Sequence, residues 1–140
     1  MGWCNWIPAC AGMTFYIPDG TLVCRQFHLS LERSSKRGYD ATDNGGKRYQ
    51  IKSRRLDRTN ESRQLSVIRN LEKREFDFLV GVLFDRDFTV KEAYKIPHGV
   101  IEKYSRFSEH QNGHIIQLQG ELLTAAGVEN LTKTLHKATE

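Results

Sequence analysis

The chain has only three cysteines in 140 residues, Cys4, Cys10 and Cys24. Their odd number and their spacing match neither a disulfide framework nor a zinc-ligand pattern, so a reduced, cytoplasmic protein is expected. No run is long or apolar enough to span a bilayer, and the first residues lack the basic region of a signal peptide. No glycine-rich stretch has the form of a phosphate-cradling loop, and no serine or cysteine lies in a signature that marks a nucleophile. Internal repeats and low-complexity segments are absent, and no composition shift justifies a second domain. The length suits a single domain with one modest core.

Acidic residues are sparse where basic ones are dense. The formal charge is +4 and the pI is near 9.1. Lys36, Arg37, Lys47, Arg48, Arg54, Arg55 and Arg63 crowd around one stretch of the chain, with few carboxylates between them. Such clustering is the electrostatic footprint expected of a nucleic-acid partner, and DNA is the partner inferred from it. Binding through this patch should weaken steeply with salt.

That stretch is Tyr39 to Arg55, YDATDNGGKRYQIKSRR. Two short runs flank Asp43-Asn44-Gly45-Gly46, whose Asn and Gly tolerate the positive φ of tight hairpin loops. A two-residue loop at Asn44-Gly45 mixes the faces, because Asp40 then lies across from Tyr49. A three-residue loop, Asn44-Gly45-Gly46, pairs Thr42 with Arg48, Ala41 with Tyr49 and Asp40 with Gln50. Tyr39, Ala41, Tyr49, Ile51 and Ser53 then face a core, while Asp40, Gln50, Lys52 and Arg54 face the other way. The second register is preferred, since a one-residue slip inverts every side chain. A carboxylate, an amide oxygen from Gln50 and the backbone carbonyl of Ile51 are hard oxygen donors suited to Mg2+ (or Mn2+). Lys52 beside them suits the orientation of a water or the balancing of charge on a phosphate.

Gly38-Tyr39-Asp40-Ala41 followed by Tyr49-Gln50-Ile51-Lys52 resembles the Asp…(Glu/Gln)-x-Lys core of the PD-(D/E)XK nuclease superfamily, in the Gln variant of Mrr-type restriction nucleases. More closely, the run from about Phe27 onward is similar to a bacterial domain family of unknown function with a GYDA…YQIK signature. The resemblance implies Asp40 and Gln50 as metal ligands and Lys52 as the catalytic lysine. It also implies an α/β fold (α+β by another convention), a mixed central sheet with flanking helices in the restriction-endonuclease-like manner. That superfamily normally opens with a helix whose glutamate completes the metal site. Gly20 to Phe27 is the candidate remnant of that helix, with Leu22, Val23 and Phe27 on one side, and it contains no Glu. Asp19 is read as its N-cap.

Residues 1–18 stand apart. MGWCNWIPACAGMT has no period and no charge, and it resembles translated bacterial intergenic repeats that carry a WIPACAGMT-like peptide. This segment is expected to be a non-native addition, disordered or loosely docked, with residues 19–140 forming the nuclease-like domain. Within that domain, Leu29 and Leu31 alternate as in a short strand or extended connection, and Asp57 to Glu61 is a loop. Ser62 to Leu71 places Leu65, Ile68 and Leu71 on one side of a short helix, although Leu65 and Val67 also alternate. Phe76 to Phe84 is expected to be a central strand buried on both faces. Asp85-Arg86-Asp87 turns it into a second strand with one face in water, carrying Phe88, Val90, Tyr94 and Ile96. Pro97 ends that strand and opens a helix, His98 to Tyr104. Asn112-Gly113 turns into a strand from His114 to Gln119, and Val128 to Lys137 closes the chain as a helix.

His98, His110 and His114 have no zinc-ligand spacing and are read as surface histidines near a turn, despite a superficial likeness to His-Asn-His nucleases. The expected function is metal-dependent phosphodiester hydrolysis in DNA, with a homodimer or a larger restriction or defence complex as the assembly. The missing glutamate supports an alternative, a catalytically inactive DNA-binding or complex-docking module. A domain whose basic face meets an acidic protein ranks third.

Overall fold

The most apolar run of the chain builds the central strand of the sheet. The structure, a computed structural model, describes Val23, residues 25–31 and residues 38–138. The expectations for residues 1–18, Asp19, Lys36 and Arg37 lie outside the described residues. Strand β4 (Phe78–Phe84) sends Leu79 and Leu83 into one core and Val80, Val82 and Phe84 into another, as side-chain alternation dictates. Between them Gly81 leaves room for a close approach. A Cβ there would stand 3.0 Å from methyls of both Leu65 and Leu118.

Five further strands complete a mixed sheet. β1 (Ser30–Leu31), β2 (Ala41–Thr42) and β3 (Arg48–Arg55) run antiparallel to one another, β3 pairs in parallel with β4, and β5 (Val90–Pro97) and β8 (Glu129–Asn130) continue antiparallel on the far side. The Asp85 to Thr89 turn joins β4 to β5 through a pair of backbone hydrogen bonds, Asp85 N–H to Thr89 O and Phe88 N–H to Asp85 O. Pro97 ends β5 in an extended conformation, and helix α1 (His98–Tyr104) follows it at once. A second, two-stranded sheet pairs β6 (Arg106–Ser108) with β7 (Gly113–Ile115). Helix α2 (Thr132–Ala138) closes the described chain.

The result is a mixed α+β architecture with two cores on opposite faces of one sheet. The first gathers Ala41, Tyr49, Ile51, Val80, Val82, Ala93 and α2's Leu135. The second gathers Leu65, Ile68, Leu79, Leu83, Tyr94, Ile96, Ile101, Ile116 and Leu118.

This double burial corrects three expectations. Residues 62–71 form no helix: Leu65 N–H donates to Ile116 O at 3.0 Å, and Ile68 and His114 exchange backbone hydrogen bonds of 2.9 and 2.8 Å. The extended crossover thus docks on β7 and the residues after it, and that ladder satisfies the backbone groups a helix would have paired internally. Only Leu71–Lys73 turn as a short 3-10 segment. Strand β5 has neither face in water, since Ala93 joins the first core and Tyr94 and Ile96 the second. Even Lys95 lies over rings, 4.2 Å from the Phe78 centroid and 5.4 Å from that of Tyr49, its stem covering apolar surface. Finally, Tyr39 packs against the second core, away from Ala41 and Tyr49. At the chain's end, α2 begins at Thr132, because Glu129 and Asn130 pair with β5 and Asn130 Oδ1 receives the Thr132 N–H at 2.9 Å. Among the described residues, no helix is long and apolar enough to cross a membrane.

Candidate metal and phosphate site at the hairpin

The β2–β3 hairpin adopts the three-residue-loop register: Ala41 pairs with Tyr49 and Thr42 with Arg48. Asp43 clamps the loop. Its Oδ1 accepts the N–H groups of Gly45 and Lys47 at 2.8 and 3.0 Å, and Gly46 takes the left-handed conformation at φ +82°, which costs glycine nothing. The Lys47 N–H and the Tyr49 hydroxyl hold the Asp43 carboxyl below its ordinary range, against a smaller opposing effect of burial. Burial, followed by the Asp43 carboxylate at 3.1 Å, pushes the Tyr49 phenol up to about 12.

Asp40 lies one residue before the ladder. Its own N–H donates to Tyr49 O at 2.7 Å, and its Oδ2 accepts the Ile51 N–H at 2.7 Å. A strand residue presents its N–H and C=O toward the same neighbour, so the Ile51 carbonyl opens on the edge that Asp40 occupies. Ala41, Tyr49 and Ile51 enter the first core, and alternation along β3 puts Gln50 on the opposite side, while Asp40, a bend residue before β2, meets the edge of β3 at the Ile51 N–H. Gln50 Oε1 is shielded from solvent and has no hydrogen-bond partner among the described residues. A buried acceptor in that state is uncommon in a folded protein.

The same face of β3 is roofed by the crossover. Lys52 Nζ donates to Ser66 Oγ at 3.1 Å, and Arg54 Nη1 donates to the Gln64 carbonyl at 2.7 Å. Arg48 turns to the other edge, where its N–H meets Asp77 Oδ2 at 2.8 Å, its Nε approaches the same oxygen at 3.3 Å, and its Nη2 reaches Arg74 O at 2.9 Å. Burial pushes the Asp77 carboxyl up, but the Arg48 hydrogen bonds outweigh it and the net shift is downward. Arg63 donates from Nη2 to Glu92 Oε1 and from Nε to Leu118 O, both at 2.6 Å, and the Tyr94 hydroxyl joins on the same Glu92 oxygen at 2.7 Å. Arg48, Arg54 and Arg63 thus hold the fold together internally, while Lys47 and Arg55 are exposed, the latter 5.0 Å over the Phe88 ring. Asp77 and Glu92 escaped attention in the sequence. A carboxylate inside Phe76-Asp77-Phe78, the start of the most apolar run, is the signal that it must have a partner.

The set-aside groups resolve differently. His98 is a core residue, 5% exposed, with Nε2 2.9 Å from Leu71 O and its ring packed on Phe76. Its Nδ1 lies 2.7 Å from Glu102 Oε1, in an alignment that falls short of a hydrogen bond. This corrects its reading as a surface residue: Pro97 starts α1 so that position 98 faces inward. His110 is exposed on the β6–β7 turn. Asp87 serves its turn, accepting both the N–H and the hydroxyl of Thr89. Among the described residues, no three His, Cys, Asp or Glu side chains converge as a metal-binding group. The hairpin set of Asp40, Gln50 and the Ile51 carbonyl contains a single such side chain. Comparison of the chain with protein-family models and with curated proteins gives no match.

Proposed function

We propose that this protein is a metal-dependent DNA phosphodiesterase of the restriction-endonuclease-like kind, acting at the β2–β3 hairpin. The observation that carries this reading is the shielded Gln50 Oε1, without a hydrogen-bond partner among the described residues, one position from the Ile51 N–H that the Asp40 carboxylate accepts. With the Ile51 carbonyl these groups offer hard oxygens of the kind Mg2+ or Mn2+ takes while retaining several waters. When bound, the cation supplies charge neutralisation at a phosphate and lowers the pKa of a water. Asp40 holds the strand edge in register through the Ile51 N–H. Lys52, oriented by Ser66, directs its ammonium to the same face and balances charge developing on the phosphate. Lys47 and Arg55, exposed at the two ends of β3, meet the DNA backbone.

Replacing a glutamate by Gln50 removes one formal charge from the metal shell, so cation affinity is modest. The engagement of Arg48, Arg54 and Arg63 inside the fold favours a second reading, an inactive module that binds DNA or docks on a restriction or defence complex. A plasmid-nicking assay at low salt separates the two. The first reading expects Mg2+-dependent nicking that falls at least a hundredfold in Asp40→Ala and Lys52→Ala, the scale of losing one electrostatic contributor, roughly 10²–10³. DNA retention indifferent to Mg2+ and to both substitutions would establish the second.

A further inference from the structure

We propose that Glu75 supplies a second carboxylate to the cation of the β2–β3 hairpin, reaching its hydrated shell across Gly38. The inference rests on the reading of the hairpin as a Mg2+ site and adds a residue to that site.

Glu75 stands half-buried just before the apolar run that becomes β4, and its side chain lies along the backbone of Gly38. A Cβ on Gly38 would stand 2.7 Å from the Glu75 Cβ, 2.6 Å from its Cδ and closer still to its Oε2. Only a glycine leaves that room, and the φ of +74° at this position suits glycine as well. The contact is close to Asp40 along the chain. With consecutive Cα atoms about 3.8 Å apart, Gly38 and Asp40 are separated by no more than roughly 7 Å.

One face of the sheet links the two carboxylates to Gln50. Gln50 pairs with Leu79 across the β3–β4 ladder, and Leu79 enters the second core, so the Gln50 side chain projects on that side. Phe76 belongs to the same core and Tyr39 packs against it. Gly38 and Glu75 each precede one of these residues, and their contact therefore borders the face that holds the shielded Gln50 Oε1.

The charge of Glu75 is also uncommitted. Its carboxylate has no hydrogen bond or ion pair among the described residues. The nearby guanidinium groups are engaged elsewhere, Arg74 with Glu102 at 2.7 Å and Arg48 with Asp77 at 3.3 Å. A carboxylate that gives up hydration without a partner is destabilised, and a second carboxylate close by adds repulsion. A divalent cation relieves both, since Mg2+ takes carboxylate oxygens directly or through the waters it keeps.

The test is titration calorimetry of the full chain with Mg2+ for wild type, Asp40→Asn, Glu75→Gln and Glu72→Gln, with melting temperatures measured with and without the cation. Glu75→Gln is expected to weaken Mg2+ binding roughly 10–100-fold. Its metal-free melting temperature should equal or exceed that of wild type, because an unpartnered charge is gone, while the rise produced by a fixed Mg2+ concentration shrinks. Glu72, exposed three residues earlier, controls for the general field, and Glu72→Gln should bind as wild type. An equal loss in Glu72→Gln would overturn the inference by assigning the effect to net charge. Mg2+ affinity equal in wild type and Glu75→Gln would also overturn it, and with binding lost in Asp40→Asn the hairpin reading would stand. Absence of Mg2+ binding by the wild type would overturn the hairpin reading and this inference together.

Discussion

The Asp40 carboxylate receives the Ile51 N–H at 2.7 Å, just beyond the point where the backbone ladder from β2 has ended. One side chain therefore finishes a strand pairing and faces the proposed cation. Asp40→Ala leaves the N–H of buried Ile51 without an acceptor and should cost about 1–3 kcal/mol. Asp40→Asn keeps an acceptor but removes the charge. Calorimetric Mg2+ binding is expected to vanish in both variants, with only the alanine variant melting markedly lower. Full Mg2+ binding by Asp40→Ala would move the cation elsewhere.

Arg63, Glu92 and Tyr94 form an ionic cluster at the margin of the second core, their hydrogen bonds spanning 2.6–2.7 Å. The pair side chains are 23% and 26% exposed, so water screens them partly. Arg63→Ala strands Glu92 and the Leu118 carbonyl together, and urea denaturation should show a loss of about 2–3 kcal/mol. Arg63→Met combined with Glu92→Leu should recover most of it, since replacing both charges removes the uncompensated one.

The pH dependence follows from the same groups. Arg63 holds Glu92 below its ordinary range against burial, and Arg48 does so for Asp77 although burial opposes it more strongly than any single hydrogen bond helps. A carboxylate depressed in the fold contributes fully above its unfolded value, about 4, and that contribution is lost as pH falls through the lower folded value. The urea midpoint should therefore drop below about pH 4, with a shallower drop in Arg63→Ala. At the alkaline end Tyr49 and Tyr94 are pushed up to about 12, chiefly by burial. Unfolded tyrosines ionise near 10, so stability should fall as pH rises beyond about 10. Tyrosinate absorbance should show late-titrating phenols that Tyr49→Phe and Tyr94→Phe each reduce.

Two glycines should respond in opposite directions to alanine. Gly38 sits at φ +74°, and a Cβ there would run into the Glu75 side chain. Gly38→Ala should cost about 1–2 kcal/mol from the left-handed backbone alone, and it should weaken Mg2+ binding by displacing Asp40. Gly99, inside α1, has open space where a Cβ would stand. Gly99→Ala should raise stability by about 0.5–1 kcal/mol. Thermal melts of the pair check both signs.

The hairpin register was legible in the sequence because its determinants are local. Asn44-Gly45-Gly46 specifies the loop, and the alternation of Tyr49, Ile51 and Ser53 leaves one register consistent. The burial of Phe78 to Phe84 and the start of α1 after Pro97 were legible for the same reason. The crossover was not, because Leu65 and Ile68 carry a three-residue spacing that suits a helix as well as an irregular extended segment. Their backbone hydrogen-bond partners are Ile116 and His114, and nothing near residue 65 announces them. The basic residues show the same limit. A sequence displays Arg48 and Arg63 as cations, but Asp77 and Glu92, each 29 positions away, decide that their charge is paired within the fold.

The crossover's dependence on distant partners has a consequence for how the chain comes together. Residues 63–68 bridge β3 to β4, yet their backbone is completed only by a segment as far on as Leu118, whose N–H donates to Arg63 O. The parallel β3–β4 pair must then wait for Ile116 and Leu118 before its second face is covered. Early in folding, Leu79, Gly81 and Leu83 present an open apolar surface, and contacts of such sequence separation close slowly, on the millisecond-to-second scale of non-local topologies. Synthesis that pauses before Gly113 would hold the chain in that state, with the second face of the sheet uncovered.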